Sequence, residues 1–487
     1  MSNSMVSRRN ALRTLGAGAL AAVGTSISLL PAAAARAGMP AEAQFNGGPP
    51  RRRRGSILMD GHVHVTDKIF WLGVDPWQPT PTNTGWDYAR AAAAGINVII
   101  ENPSPYGYWS YNMTPKHILR LFETFHRFIE ANEDKMGLAL TAGDARRIAA
   151  SGRMAVFLSC ESGWDHEGDI DVLRALYRFG LRAVQFSSQS GFNAFSDVQA
   201  GLPSGGAHWS GINSQGLALV EEMNSLGIVI DITHASTAAQ AQIIEVSRAP
   251  VIASHVAVAS VSGPGGLTDD LIVALASKGG MLGVHGGASS IGVRYKQWVA
   301  TNPAKAALLG KPLSDMVNYR PSFVRSPDVS NYGDFIARVD QESGDRTRAV
   351  FVPFGDDPVA LAAVPTPDEW AELVHYVINL VGADHVGIGL DMFGGRSGVP
   401  QDASGYPLLV DAIRRITTPK NVEMVVGENW LRVIEQVQGF AHRDEREHRE
   451  SRVDKDARER RAREASPAHH REALASDMSS ASSTRCC

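Results

Sequence analysis

Three cysteines in 487 residues are too few for a disulfide framework. Cys160 lies in an apolar run, and Cys486 with Cys487 closes the chain, so the core must hold by packing alone. A strong charge of either sign is also missing: the net −4 gives no electrostatic reason to expect nucleic acid or an acidic membrane as partner. The apolar stretch that ends at Leu30 is short and rich in Gly and Ala, which argues against a membrane anchor. It follows the twin arginines Arg8 and Arg9 and precedes the small-x-small site Ala35-Arg36-Ala37. Residues 1–37 therefore read as a twin-arginine export signal, and the mature chain is expected to be periplasmic or extracellular, with no transmembrane span. From His442 onward apolar residues are almost absent. Residues 441–487 cannot bury a face and are expected to form a charged, disordered or solvated tail. Residues 38–54, rich in Gly and Pro and ending in Arg51 to Arg54, read as a flexible basic linker.

Between these ends, over 55–440, the 44% hydrophobic content is ample for a core. Eight short apolar runs of strand type stand out: 56–64, 95–102, 154–161, 181–187, 227–234, 250–255, 280–285 and 385–391. Most are separated by segments of helical period. In one, Leu217, Val220, Met223 and Leu226 recur at three- to four-residue steps before Gly227. Apolar strands alternating with helices predict a parallel sheet covered on both sides, and eight such units predict an α/β fold of the (β/α)₈ TIM-barrel type. A doubly wound open sheet is the alternative. The span from Gly286 to Ala383 is too long for one connection. It predicts an insertion before the last strand, with a helix over 366–381.

Barrel enzymes carry their chemistry at the C-terminal ends of strands. Here the first run ends in His62 and His64, the third in Glu161, the fifth in His234, the sixth in His255 and the eighth in Asp391. His62 and His64, two residues apart on a strand, face the same way. Singly, each residue has a bland explanation as a core histidine, a cap or a turn former. Together, four imidazoles and two carboxylates around one mouth form a site for two divalent cations, and this donor set suits zinc. Glu161, as a bridging carboxylate, would hold two ions about 3.5 Å apart.

The segments DGHVH, CESG, GLALVEEMNSLGIVIDITHAS, APVIASH, LTDDLIVALASKGGMLGV and ADHVGIGLDMFGG resemble the membrane dipeptidase (renal dipeptidase) family of the amidohydrolase superfamily, over roughly 57–429. The resemblance implies a metalloprotease-type hydrolase with two Zn²⁺ ions that cleaves an amide bond of a small dipeptide-like substrate through a metal-bridging hydroxide. It places His62 on the first zinc, Glu161 as the bridge, His234 and His255 on the second zinc and Asp391 as the acid/base. The family usually has Asp where this chain has His64, which is kept as a ligand. It has Arg-Asn, the anchor of a substrate carboxylate, where this chain has Gly265 and Gly266. It has His near the substrate carbonyl where this chain offers Ser188 and Gln189. Ser188, Gln189 and His285 are the candidate substrate contacts. Losing a charged anchor favours carboxylate-free substrates such as a lactone, a lactam or a blocked amide. A phosphotriesterase-like enzyme usually bridges its metals with a carboxylated lysine, and LRAVQFSSQ has none. A non-catalytic metal-dependent binding protein is the remaining alternative, against which the retained Asp391 argues. The assembly state is left open, a homodimer being among the options.

Overall fold

The structure is a computed structural model that describes residues 56–78, 85–104, 113–161, 163–187, 193–199, 207–304, 358–392 and 398–441. The expected export signal and linker, the expected tail from residue 442, Ser188 and Gln189 lie outside the described residues.

Two parallel sheets form the core. The first has β1 (Met59–Val63), β2 (Val98–Glu101), β3 (Met136–Leu138) and β4 (Met154–Leu158) in the order β1-β2-β4-β3. The second has β5 (Ala183–Gln185), β6 (Val229–Asp231), β7 (Ile252–Val256), β8 (Met281–Val284) and β9 (Val386–Ile388) in sequence order. Single parallel bridges join them at both seams, Leu158 with Leu181 and Val63 with Met392. The Arg182 amide donates to Leu158 O and the Asp391 amide to His62 O. The eight expected strands thus run in one cycle, as the barrel requires and an open doubly wound sheet does not. The three-residue β3 was not among the eight runs. It pairs with the first half of β4, while Leu181 bridges its end.

Strand residues divide by parity into two cores. Ile57, Met59, Val98, Phe157, Val229 and Ile252 pack together with Trp430 and Ile434 of the helix over 429–441, the inner layer. Leu58, Ile99, Val156, Ile230 and Leu282 pack with the outer helices. The expected helix through Leu217 spans Ser214–Leu226. Asn213 caps it and Gly227 ends it at φ +74°. The expected helix near 366–381 spans Pro367–Val381, with Thr366 and Glu369 forming a capping box. It belongs to the insertion, which also contains helices Val293–Thr301 and Pro358–Ala363. Arg294 ties them together, with paired bonds to Glu369 at 2.9 and 2.6 Å and one to Ala362 O at 2.9 Å. No described helix is long and apolar enough to cross a membrane.

Candidate metal centre

Alternation alone would not bring these side chains together. On β1, Leu58 points to the outer core and Ile57 and Met59 to the inner one. Continued without interruption, His62 and His64 would follow Leu58 outward. Between Asp60 and Val63 the register against β2 slips by one residue. Beyond this bulge it is Val63 and Val65 that join the outer core, and the two histidines turn inward. A second one-residue slip, between Ala253 and Val256 on β7, brings His255 to the same side as Ser254. His234 and Asp391 reach the mouth by another device: both hold left-handed backbone, φ +65° and +50°, which costs a non-glycine residue free energy and clusters at functional sites. Glu161 follows plain alternation, four residues beyond the inward-facing Phe157 of β4.

The six residues meet. His62 Nε2 lies 2.9 Å from His64 Nε2. Glu161 Oε2 is 2.8 Å from His64 Nε2 and 3.6 Å from His62 Nε2. Its other oxygen, Oε1, is 3.1 Å from His234 Nε2 and 3.5 Å from His255 Nε2, and those two nitrogens are 3.1 Å apart. Asp391 Oδ1 faces the first pair, 3.2 Å from His64 Nε2. Ligand atoms on one tetrahedral zinc, each about 2.0–2.1 Å from it, lie roughly 3.3 Å from one another, so both sets have the spacing a cation asks for. Two groups with metal-ligand spacing result: His62, His64, Glu161 and Asp391, and Glu161, His234 and His255. A third, His62, Asp231 and His255, lies behind them.

The charges suit cations. Burial pushes the Glu161 carboxyl up, but the His64 charge and hydrogen bonds from His234, His62 and His64 outweigh it and hold the group well below the ordinary carboxylate range. Burial likewise opposes ionisation of Asp391, which its electrostatic interaction with the His255 ring and bonds from His285 and His64 hold well below its usual value. Burial and the neighbouring His62 keep His255 neutral, its pKa well below the ordinary one, as a metal-ligating imidazole must be. His64 goes the other way. Burial lowers it, but Glu161 and Asp391 raise it well above 6.5.

His285 Nε2 lies 3.3 Å from Asp391 Oδ2, and the Gly287 amide donates to its Nδ1 at 2.7 Å. Since Nδ1 accepts, the ring proton sits on Nε2 and points at Asp391. Gly265 has φ +94°, and a β-carbon on Gly266 would fall 2.6 Å from the Ala259 amide nitrogen. At Gly265, where the resemblance leads one to expect a charged side chain, a β-carbon would meet nothing within 4 Å, and backbone crowds the place only at Gly266. Gln199 Nε2 donates to Gly265 O at 3.1 Å.

Four supporting residues were not singled out from the sequence. Asp60 Oδ1 accepts the amides of His62 (3.0 Å) and Leu390 (3.1 Å), its Oδ2 accepts from Tyr406, and burial raises its pKa to about 7. It links β1 to the chain just before Asp391. Glu101 Oε1 accepts the amides of Val65 and Thr66, both at 2.7 Å, and fixes the backbone leaving His64. Asp231 and Ser254 stand behind His62 and His255. Glu101 ends β2 and stands one residue before the end of the second run, much as Glu161 ends the third. The signal was present, but strand-end position alone does not separate a ligand from a loop holder.

Residues 110–448 match the model of the membrane dipeptidase family (peptidase family M19), a range that starts beyond His62 and His64. The chain is similar to Dipeptidase verJ of Clonostachys rogersoniana, 26% identical over 325 residues, which cover 66% of this chain and 65% of that protein. It is also similar to Dipeptidase tcpJ of Claviceps purpurea, 25% identical over 401 residues, 78% of this chain and 77% of that one. Its fold resembles the probable dipeptidase PvdM from Pseudomonas aeruginosa (TM-score 0.61, 21% identity, 79% of this chain and 96% of the other). It resembles as well a metallo peptidase from Rhodobacter sphaeroides liganded with a phosphinate mimic of the dipeptide L-Ala-D-Ala (TM-score 0.55, 19% identity, 78% and 99%). With the family matched over most of its length, this chain belongs to the membrane dipeptidase family.

Proposed function

We propose that the protein is a binuclear zinc hydrolase that cleaves an amide bond of a small, dipeptide-like substrate. The observation that carries this reading is the division of one carboxylate: Glu161 gives Oε2 to His62 and His64 and Oε1 to His234 and His255. Imidazole nitrogens and carboxylate oxygens at these spacings fit two zinc ions: His62, His64 and Asp391 would hold one, His234 and His255 the other, and Glu161 would serve both. When bound, such a pair supplies an acidified water, with pKa lowered to about 7, and polarises the scissile carbonyl.

The rest falls to the chain. Asp391, kept ionised, accepts the proton of the attacking water and returns it to the leaving nitrogen. Its left-handed backbone and the His285 N–H fix which oxygen turns toward the substrate. His285, an expected substrate contact, has both ring nitrogens engaged, and in this reading it serves Asp391. The buried floor excludes bulk water, which strengthens each of these contacts. The twin-arginine segment supports export of the folded enzyme, checked by fractionating cells that express the full chain.

Gly265 and Gly266 favour a second reading of the substrate, one without a free carboxylate: a lactam, a lactone or a blocked amide. The test is a hydrolysis panel on the zinc-loaded chain with L-Ala-L-Ala, L-Ala-D-Ala, N-blocked and C-blocked amides, lactones and phosphotriesters. Dipeptide turnover supports the first reading. Turnover only of carboxylate-free esters or amides supports the second. Turnover of none, with zinc bound, contradicts both.

A further inference from the structure

Ser254 has a position that the ligand sets alone do not explain. Its hydroxyl, buried on β7, lies 3.0 Å from His62 Nδ1 and 2.9 Å from His255 Nδ1, and makes a short bond to Asp231 Oδ2. Thr233 Oγ1 is farther off, at 3.5 Å. A serine hydroxyl has one proton to donate and two lone pairs to receive. The Asp231 carboxylate oxygens accept. Its Oδ1 already takes the amides of Thr233 (3.0 Å) and Ser254 (2.9 Å) and the Thr233 hydroxyl (2.7 Å). The Ser254 proton therefore goes to Asp231 Oδ2. The two lone pairs are left for two donors, the Nδ1–H of His62 and the Nδ1–H of His255, and the count closes.

A ring with its proton on Nδ1 carries its lone pair on Nε2. For both rings Nε2 is the atom in the centre: that of His62 beside His64 and Glu161 Oε2, that of His255 beside His234 and Glu161 Oε1. Metal-bound histidines commonly have a partner each on the far nitrogen. Here two rings that belong to different ions share one.

We propose that Ser254, anchored by Asp231, is a positioning residue common to both ions: one hydroxyl fixes the metal-ready tautomer of one ligand on each side and so couples their affinities. The inference rests on the binuclear reading above. It also accounts for the third group, His62, Asp231 and His255, as the setting of this hydroxyl rather than a cation site. The surrounding backbone leaves little room to adjust. A β-carbon on Gly283 or Gly389 would fall 2.1 or 1.8 Å from Ser254 O, so the Ser254 carbonyl packs tightly against glycine backbone of β8 and of the chain that follows β9.

The test is zinc titration of the full, metal-free chain against a chromophoric chelator, for wild type, Ser254→Ala, Ser254→Thr and His234→Ala, with folding checked by circular dichroism. Ser254→Ala is expected to weaken both zinc affinities together, by about 10- to 100-fold each. Ser254→Thr restores most of the loss, and His234→Ala weakens one site. A folded Ser254→Ala chain that binds both ions as wild type does, or loses only one, overturns the proposal. If Ser254→Ala does not fold, histidine-selective ¹⁵N spectra of the zinc-loaded wild type decide. His62 and His255, assigned by single substitution, should each show a slowly exchanging Nδ1–H and a metal-bound Nε2; metal on either Nδ1 refutes the role. A wild-type chain that takes up no zinc fails the binuclear reading itself, a result distinct from either.

Discussion

The mouth of the barrel is built in two ways. Its floor is made of side chains from strand ends: His62, His64, Glu161 and His255 are each at most 2% exposed and are held from behind by Asp60, Glu101, Asp231 and Ser254. Its rim, where Gln199 meets Gly265, is made of backbone, glycine and exposed side chain. In the proposed reading the floor carries the residues that hold ions and move a proton. The rim holds Gly265 and Gly266, where the resemblance leads one to expect side chains that grip a substrate's end group. On that reading, metal binding and substrate choice fall to separate parts of the molecule, so that the rim can change while the floor stays.

The largest effect that would sharpen this contrast is at the shared carboxylate. Glu161→Gln should lower bound zinc from two to at most one per chain and cut kcat by about 10³-fold or more, read by elemental analysis and by turnover of whichever panel substrate is active. Two ions retained would show that the floor is not organised around Glu161. Next comes Asp391→Asn, expected to lower kcat by roughly 10²- to 10⁴-fold with the second ion still bound and KM little changed. Near-normal turnover would remove Asp391 from the proton path.

A third effect is on pH. In the metal-free chain His64, raised well above 6.5 by Glu161 and Asp391, keeps its proton at neutral pH, and a cation must displace it. Zinc affinity should therefore rise with pH across the range where His64 stays protonated and level off above it. The same shift means that His64 stabilises the metal-free fold fully below about pH 6.5, a contribution lost as pH rises through its folded-state value. Competition titrations at several pH values check the first, and urea melts of the metal-free chain the second. The smallest effect is at the rim. Gln199→Ala should change KM by a factor of roughly 2–10 and leave zinc content untouched. Loss of zinc there would join what the comparison separates.

Much of this floor was legible in the sequence because it lies at the ends of apolar runs. The eight runs, their alternation with helices and the polar residue closing five of them suffice to place His62, His64, Glu161, His234, His255 and Asp391 at one mouth. The bulges at Asp60–Val63 and Ala253–Val256 were not legible. A one-residue slip leaves the apolar pattern unchanged while reversing which face the next side chain takes. Nor were the supports. Ser254 reads as an ordinary small residue in a strand, and its hub role exists only once β1, β6 and β7 stand side by side. The partner of His285 was hidden for a similar reason, since 106 positions separate it from Asp391. The β3 strand escaped because three residues are too few to show a period.

The most direct test of the central claim is an anomalous difference map at the zinc edge from crystals of the zinc-loaded protein. The account predicts two peaks, one on each side of the Glu161 carboxylate, roughly 3.5–4 Å apart, with His62 and His64 at one and His234 and His255 at the other. A single peak, or none at these residues, would contradict it.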